Sequence, residues 1–269
     1  MRVGVHGATG RMGRLVLAEL DGARDLVLHA AITRSGSAHE GLDAGTLAGG
    51  SPCGIRVSSD VSALSECDVV IDFSHPTVAA RLFRELPPGP LVTGTTGLDA
   101  QAVHALNERA RHSPTLHATN FSIGIAVMRQ AVRWLASSLP DWDAELVEVH
   151  HRHKVDAPSG TATTLLDELD AGRMHAAQRT HGRRGLTGVR PAGDVGIHAL
   201  RLGNVIGQHT LSLGGPGETL CIHHTAEDRR VFAVGAVEAA RWVADKAPGR
   251  YDMVEMLGLS ALPTRKPPT

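Results

Sequence analysis

Along the first 120 residues the apolar positions fall into short alternating or continuous runs, separated by longer stretches where they recur every three or four residues. Val3 and Val5 predict a strand over Met1–His6, Gly7–Gly13 (GATGRMG) a tight turn, and Leu15–Leu20 a helix. Leu26–Ile32 reads as a second strand. Asp68–Phe73 (DVVIDF) is the continuous apolar run expected of a parallel strand covered on both faces. Pro76 suits the first position of a helix reaching Leu86, Leu91–Thr93 is the next strand, and a helix follows from about Leu98 to Arg111. This alternation predicts an α/β fold with a Rossmann-like doubly wound parallel sheet.

Beyond Phe121 the pattern changes. An amphipathic helix over Ile123–Leu139 precedes a strand over Asp143–His151, and Gly196–Leu202, His209–Leu213 and Thr219–His224 follow as strands divided by glycine turns, the signature of an antiparallel meander. Residues 171–194 have no clear period and are expected to form a long loop. Helical periodicity returns over Arg230–Lys246, which predicts that the chain crosses back, and Pro263–Thr269 is a polar, proline-rich tail. The expected division is 1–121 with 230–269 as one domain. Residues 122–229 form the other, an α+β domain with a mixed, mostly antiparallel sheet.

Composition narrows the function. Of 269 residues, 42% are hydrophobic and 20% charged, values that exclude a disordered or fibrous chain. Lys and Arg number 27 against 28 Asp and Glu, so no basic field is present to hold nucleic acid or an anionic membrane, and an anionic ligand must be bound locally. No apolar run approaches the roughly 18 residues of a membrane span, and the chain opens on a strand instead of a charged leader, so it is read as cytosolic and unprocessed. Cys53, Cys67 and Cys221 lack CxxC spacing, fit a reducing compartment and are expected as small buried side chains. Three Trp, one Tyr and four Phe leave the core largely aliphatic, while sixteen His call for an explanation.

Gly7, Gly10 and Gly13 stand between a strand and a helix, where glycines let backbone amides approach a pyrophosphate at the helix N-terminus; a tight turn without ligand is the alternative. About 20 residues further on, where a ribose-binding acid would sit, the chain carries Thr33, Arg34 and Ser35. These side chains bind a 2′-phosphate better than a carboxylate would, so NADPH is favoured and NADH remains open, with Arg34 as a plain solvated residue the alternative.

The segment ELVEVHHRHKVDAPSGTA, Glu145–Ala162, holds more chemistry. His150 and His151 end a strand and point to opposite faces, and His153 and Lys154 follow where it gives way to a loop. Ser159-Gly160-Thr161 then caps a helix, so an anion fits on the Gly160 and Thr161 amides beside an ammonium and a proton-transferring imidazole. A rival reading takes His151-x-His153 with His223-His224 as a metal site. The adjacent Lys154 would repel a cation, so no metal is expected.

At these motifs the chain resembles the 4-hydroxy-tetrahydrodipicolinate reductases, also called dihydrodipicolinate reductases. The block EVHHRHKVDAPSGTA matches that family's signature, and GATGRMGR, the GTTG of Gly94–Gly97 and the ATNFSIG of Ala118–Gly124 match in order and spacing. The resemblance implies that Gly7, Ala8, Thr9, Gly10, Arg11 and Met12 bind the dinucleotide. It places Thr33 and Arg34 near the adenosine ribose, and Gly94, Thr95, Thr96, Ala118, Thr119, Asn120 and Phe121 on the nicotinamide side. It also implies His150 as acid/base, Lys154 as proton donor, and His151, Ser159, Gly160, Thr161 and Arg229 as contacts to a cyclic dicarboxylate. The implied reaction is NAD(P)H-dependent reduction of 4-hydroxy-tetrahydrodipicolinate to tetrahydrodipicolinate with loss of water, in diaminopimelate and lysine biosynthesis, by a cytoplasmic homotetramer. Thr33 departs from the acidic residue frequent in the family, and residues 171–194 are short for it. Two other classes keep the glycine loop: a dehydrogenase of an amino or hydroxy acid, which needs no SGT cradle, and a nucleotide-sensing regulator, which needs neither His150 nor Lys154.

Overall fold

The computed structural model describes residues 1–259; residues 260–269, with the proline-rich tail, lie outside the described residues. In chain order come β1 (Arg2–His6), α1 (Arg11–Asp21), β2 (Val27–Ile32), α2 (Ala44–Leu47), β3 (Val57–Ser58), a 3-10 turn (Val61–Glu66), β4 (Val69–Asp72), α3 (Pro76–Glu85), β5 (Leu91–Thr93), α4 (Ala100–Ala110) and β6 (Pro114–His117). Then follow α5 (Ile123–Ser138), β7 (Asp143–His150), α6 (Gly160–Arg173), β8 (Arg179–His181), β9 (Val195–Arg201), β10 (Gly207–Gly215), β11 (Glu218–Ala226), α7 (Arg230–Val243), β12 (Gly249–Tyr251) and α8 (Met253–Met256). Two compact units emerge, one built from Met1–Ile123 and Arg229–Leu257, the other from Gly124–Asp228.

In the first unit seven strands pair in parallel in the order β12-β6-β5-β4-β1-β2-β3. All four residues of β4 are buried, as the DVVIDF run requires of a strand covered on both faces. Strand order reverses between β1 and β4, the point at which doubly wound sheets bind ligands beyond their carboxyl ends. One core layer joins Ile32, Val70 and Leu91 of the sheet to Leu82 and Phe83 of α3 and Leu106 of α4. The helix α7, rich in alanine, comes close enough at Gly235 that a Cβ there would lie 1.8 Å from the Phe121 carbonyl oxygen.

The second unit is a five-stranded mixed sheet in the order β11-β10-β7-β9-β8. Its β11, β10 and β7 pair antiparallel, whereas β9 lies parallel to both β7 and β8. The expected meander is therefore interrupted: β7 separates β9 from β10, because its alternating burial places it at the sheet centre under α5 and α6. Leu146, Ile197, Leu211 and Leu213 from the sheet meet Met128, Val132, Leu165, Leu166 and Leu169 from the helices in an aliphatic core. The unperiodic stretch 171–194 is not wholly a loop, since α6 runs to Arg173 and β8 forms an edge strand within it. Cysteine burial is also corrected. Cys53 and Cys221 are exposed, and Cys67 alone is half-buried, its thiol pushed up to about 11 by desolvation.

Candidate active site

In the first unit the turn after β1 closes on itself, Gly7 and Ala8 donating to the Ile32 carbonyl (both 2.9 Å) and Gly10 to that of Gly7 (3.0 Å). Gly7 has φ +81°, and a Cβ at Gly13 would lie 2.2 Å from the Gly7 carbonyl, so both positions require glycine. Gly10 stands at the N-cap of α1 with no side-chain cap, and the first turn carries no acid. First-turn amides lack intrahelical partners by construction, so this terminus fits a pyrophosphate. Thr9 and Thr33 share a 2.8 Å hydroxyl bond that ties the loop to the end of β2, and Arg34 beyond it is exposed.

Below this loop lies Asp72 at the end of β4, fully buried. Its carboxylate accepts from His6 Nδ1 (2.7 Å), Thr93 Oγ1 (2.7 Å), Thr95 Oγ1 (2.8 Å) and the Ser74 amide (3.2 Å). Burial works to raise its pKa, but these donors, His6 first, hold it below the ordinary carboxylate value. The hydroxyl of Thr95 is thus spent inside the protein. Phe73 stacks edge-on against Phe121 at 5.3 Å and lies over Gly94, where a Cβ would come within 2.1 Å of its ring. Phe121 and Ala118 are buried, Thr33 likewise.

In the second unit the period of two in β7 puts Ala144, Leu146, Glu148 and His150 on one buried face. The first two enter the core, and the last two continue to its rim. Glu148 accepts from His150 Nδ1, from the Ser159 amide (3.2 Å), and from Arg201 through Nη1 to Oε2 and Nη2 to Oε1 (both 3.0 Å). Ser159 is the N-cap of α6, its Oγ accepting from the Ala162 amide (3.1 Å) and sharing a 3.1 Å bond with His209 Nε2. His150 and His209 meet edge to face at 5.2 Å. Lys154 reaches Asp156 at 2.8 Å, and Gly160 is exposed at the start of the helix.

Burial lowers the His150 pKa, Glu148 raises it, and Lys154 and Arg201 lower it again, leaving it below the ordinary value. His209 is pushed down to about 3, by burial first and His150 next. The predicted residues His150, Ser159, Gly160 and Thr161 are gathered at one end of β7 and α6, with Lys154 and His151 in the segment joining them. Arg229 instead belongs to the first unit, as the N-cap residue of α7. The rival metal set does not assemble: His223 spends both ring nitrogens on Thr210 and Thr225 (2.7 Å each), and among the described residues no three His, Cys, Asp or Glu are gathered to hold a metal. Four residues escaped the sequence reading. Glu148, two positions before His150 and so on its face, was legible in principle, as was Asp72 closing an apolar strand; Arg201 and His209 arrive from distant strands and left no signal.

Residues 1–121 match the family described as "Dihydrodipicolinate reductase, N-terminus" and residues 124–257 the one described as "Dihydrodipicolinate reductase, C-terminus". A 4-hydroxy-tetrahydrodipicolinate reductase of Rhizobium rhizogenes is 42% identical over 268 residues, covering 97% of both chains, and one of Anaeromyxobacter dehalogenans is 43% identical over 265 residues, covering 96% of this chain and 98% of its own. Among solved structures, a dipicolinate-bound dihydrodipicolinate reductase from Paenisporosarcina sp. TG-14 shares the fold with a TM-score of 0.74 at 23% identity, over 94% of this chain and 97% of that one. An amine dehydrogenase from Mycobacterium smegmatis shares it with a TM-score of 0.65 at 14% identity, over 94% and 95%.

Proposed function

The chain belongs to the dihydrodipicolinate reductase family, and we infer from this that it catalyses the NAD(P)H-dependent reduction of 4-hydroxy-tetrahydrodipicolinate to tetrahydrodipicolinate, with loss of water, in diaminopimelate and lysine biosynthesis. A reduced nicotinamide dinucleotide supplies the hydride when bound. Gly7–Met12 would hold its pyrophosphate on the uncapped N-terminus of α1, with Thr33 and Arg34 toward the adenosine ribose and Gly94–Thr96 and Ala118–Phe121 toward the nicotinamide. The absence of an acid at Thr33 and the exposed guanidinium of Arg34 favour NADPH over NADH.

In the second unit one carboxylate, Glu148, bonds both His150 and the N-cap Ser159, and this observation carries the assignment of the substrate site. It keeps an imidazole beside a helix N-terminus that suits a carboxylate. Gly160 and Thr161 bind one substrate carboxylate there, His151 assists, and the Ser159 side chain acts as the cap instead of a ligand contact. The Lys154 ammonium, steadied by Asp156, contributes charge-assisted bonds worth about 1.5 to 3 kcal/mol each and donates the proton that the enamine carbon receives. With Nδ1 turned to Glu148, Nε2 is the His150 nitrogen that exchanges a proton with substrate or water. No helix among the described residues is long and apolar enough to cross a membrane.

The test is absorbance of the reduced nicotinamide, with substrate made in place by a coupled synthase. Turnover is expected with both cofactors at a higher kcat/KM for NADPH, and Arg34→Ala should lower the NADPH:NADH ratio about tenfold or more. Binding of dinucleotide without its consumption would overturn the reaction.

The chain also forms a homotetramer through the sheet face of the second unit that α5 and α6 leave uncovered. Support comes from β11, an edge strand whose exposed Cys221 stands opposite Ser212 on that face, and from exposed Leu200 of β9, in register with Val149 on the same face. Light scattering should give four times the chain mass; a monomer would refute this assembly.

A further inference from the structure

We propose that Glu148 is the positioning residue of His150 and that Arg201 fixes Glu148 in that task, an inference that rests on His150 being the acid/base group. Strand register builds the arrangement. In β7, Glu148 and His150 share a face; on one side Arg201 of β9 stands in register with His150, and on the other His209 of β10 stands opposite Glu148.

A fully buried carboxylate is costly unless its lone pairs are filled. The paired Arg201 bonds and the Ser159 amide already satisfy most of that demand, so the bond to His150 is not needed to keep Glu148 in place. Its consequence falls on the imidazole. A carboxylate at Nδ1 makes that nitrogen the protonated one and leaves Nε2 for chemistry. Space is kept for Nε2 by Gly207, at the start of β10, where a Cβ would lie 3.1 Å away.

Arg201 does a second thing. A lone buried carboxylate would trap His150 as an imidazolium, whereas a carboxylate already neutralised by a guanidinium orients the ring without holding its proton too tightly. The charged or titratable groups around the ring are Glu148 on its own strand, Arg201 from β9, His209 from β10 and Lys154 from the following loop. His209 stays neutral in its buried place and does not compete for the proton. The division of labour between two touching histidines thus follows from which one bonds the carboxylate: His150 does, whereas His209 turns its Nε2 to the Ser159 hydroxyl.

The test combines kinetics with NMR titration of the His150 ring. Glu148→Gln is expected to lower kcat at least tenfold, leave the KM for NADPH within about twofold, and move the imidazole midpoint down by about one pH unit. Arg201→Met should move the midpoint up, and a merely structural role would not produce opposite signs. Glu148→Asp, which keeps the charge, should restore part of kcat and guards against misfolding of the glutamine variant. Adding Glu148→Gln to His150→Ala should cost nothing further. An unshifted ring in Glu148→Gln, or an undiminished loss in the double variant, overturns the inference alone. Full kcat in His150→Ala overturns the reading on which it rests.

Discussion

At the residue scale, Gly207 has no backbone reason to be glycine, since it lies in a strand and does not require a positive φ. The reason is the neighbouring imidazole. Gly207→Ala would bring a methyl group to 3.1 Å from His150 Nε2, tight enough to displace the ring while the strand remains paired. The expected outcome is a fall in kcat of tenfold or more at little change in Tm, read by steady-state kinetics beside thermal melting. Glu148 and His150 show what a local pattern can disclose, because strand alternation alone puts residues two apart on one face. Arg201, 53 positions from Glu148, could not be foreseen, as no periodicity names the partner that a buried acid will find.

Among the elements, the ends of β1, β4 and β5 are joined by Asp72. Three of its four donors lie in or beside a segment read as cofactor-binding: His6 precedes Gly7, Thr93 precedes Gly94, and Thr95 lies in the turn after β5. Asp72→Asn would set an amide against donors that need an acceptor, and breaking a buried charged network of this kind costs about 3 to 5 kcal/mol. A clearly lower Tm and weaker NADPH binding, followed by nicotinamide fluorescence, are expected together; unchanged affinity in a folded variant would show that the network serves stability alone. The helices illustrate the opposite case of local control. His75 before Pro76, Asp99 bonding the Ala102 amide at 2.7 Å, and Ser159 bonding that of Ala162 are caps written into adjacent residues, while α1 is left uncapped where a ligand anion would serve.

For the whole molecule, the many histidines become a stability property. Burial holds His117, His150, His209 and His224 below the ordinary value, and His209, whose Nδ1 has no partner among the described residues, goes from 6.5 to about 3. The unfolded chain therefore takes up these protons first as the pH falls. Stability is complete above about pH 6.5 and declines below it, with His209 contributing about 1.4 kcal/mol per pH unit down to its own folded value. Denaturant titrations at pH 7 and pH 5 should show this slope in the native chain and a shallower one in His209→Asn; equal slopes would mean that His209 is not held neutral.

Much of the first unit could be read in the chain itself, because apolar periodicity, glycine turns and caps act over a few residues and state which face is buried. The SGT cap and the proximity of Lys154 to His150 are local in the same way. Three-dimensional packing decided the rest: β7 standing between β9 and β10, the short strands β3, β6, β8 and β12 at or near sheet edges, and the joining of Glu148 to Arg201 and of Ser159 to His209. The physical reason is that burial is encoded by side-chain spacing along the chain, whereas the partner that pays for a buried charge is chosen by strand register across it.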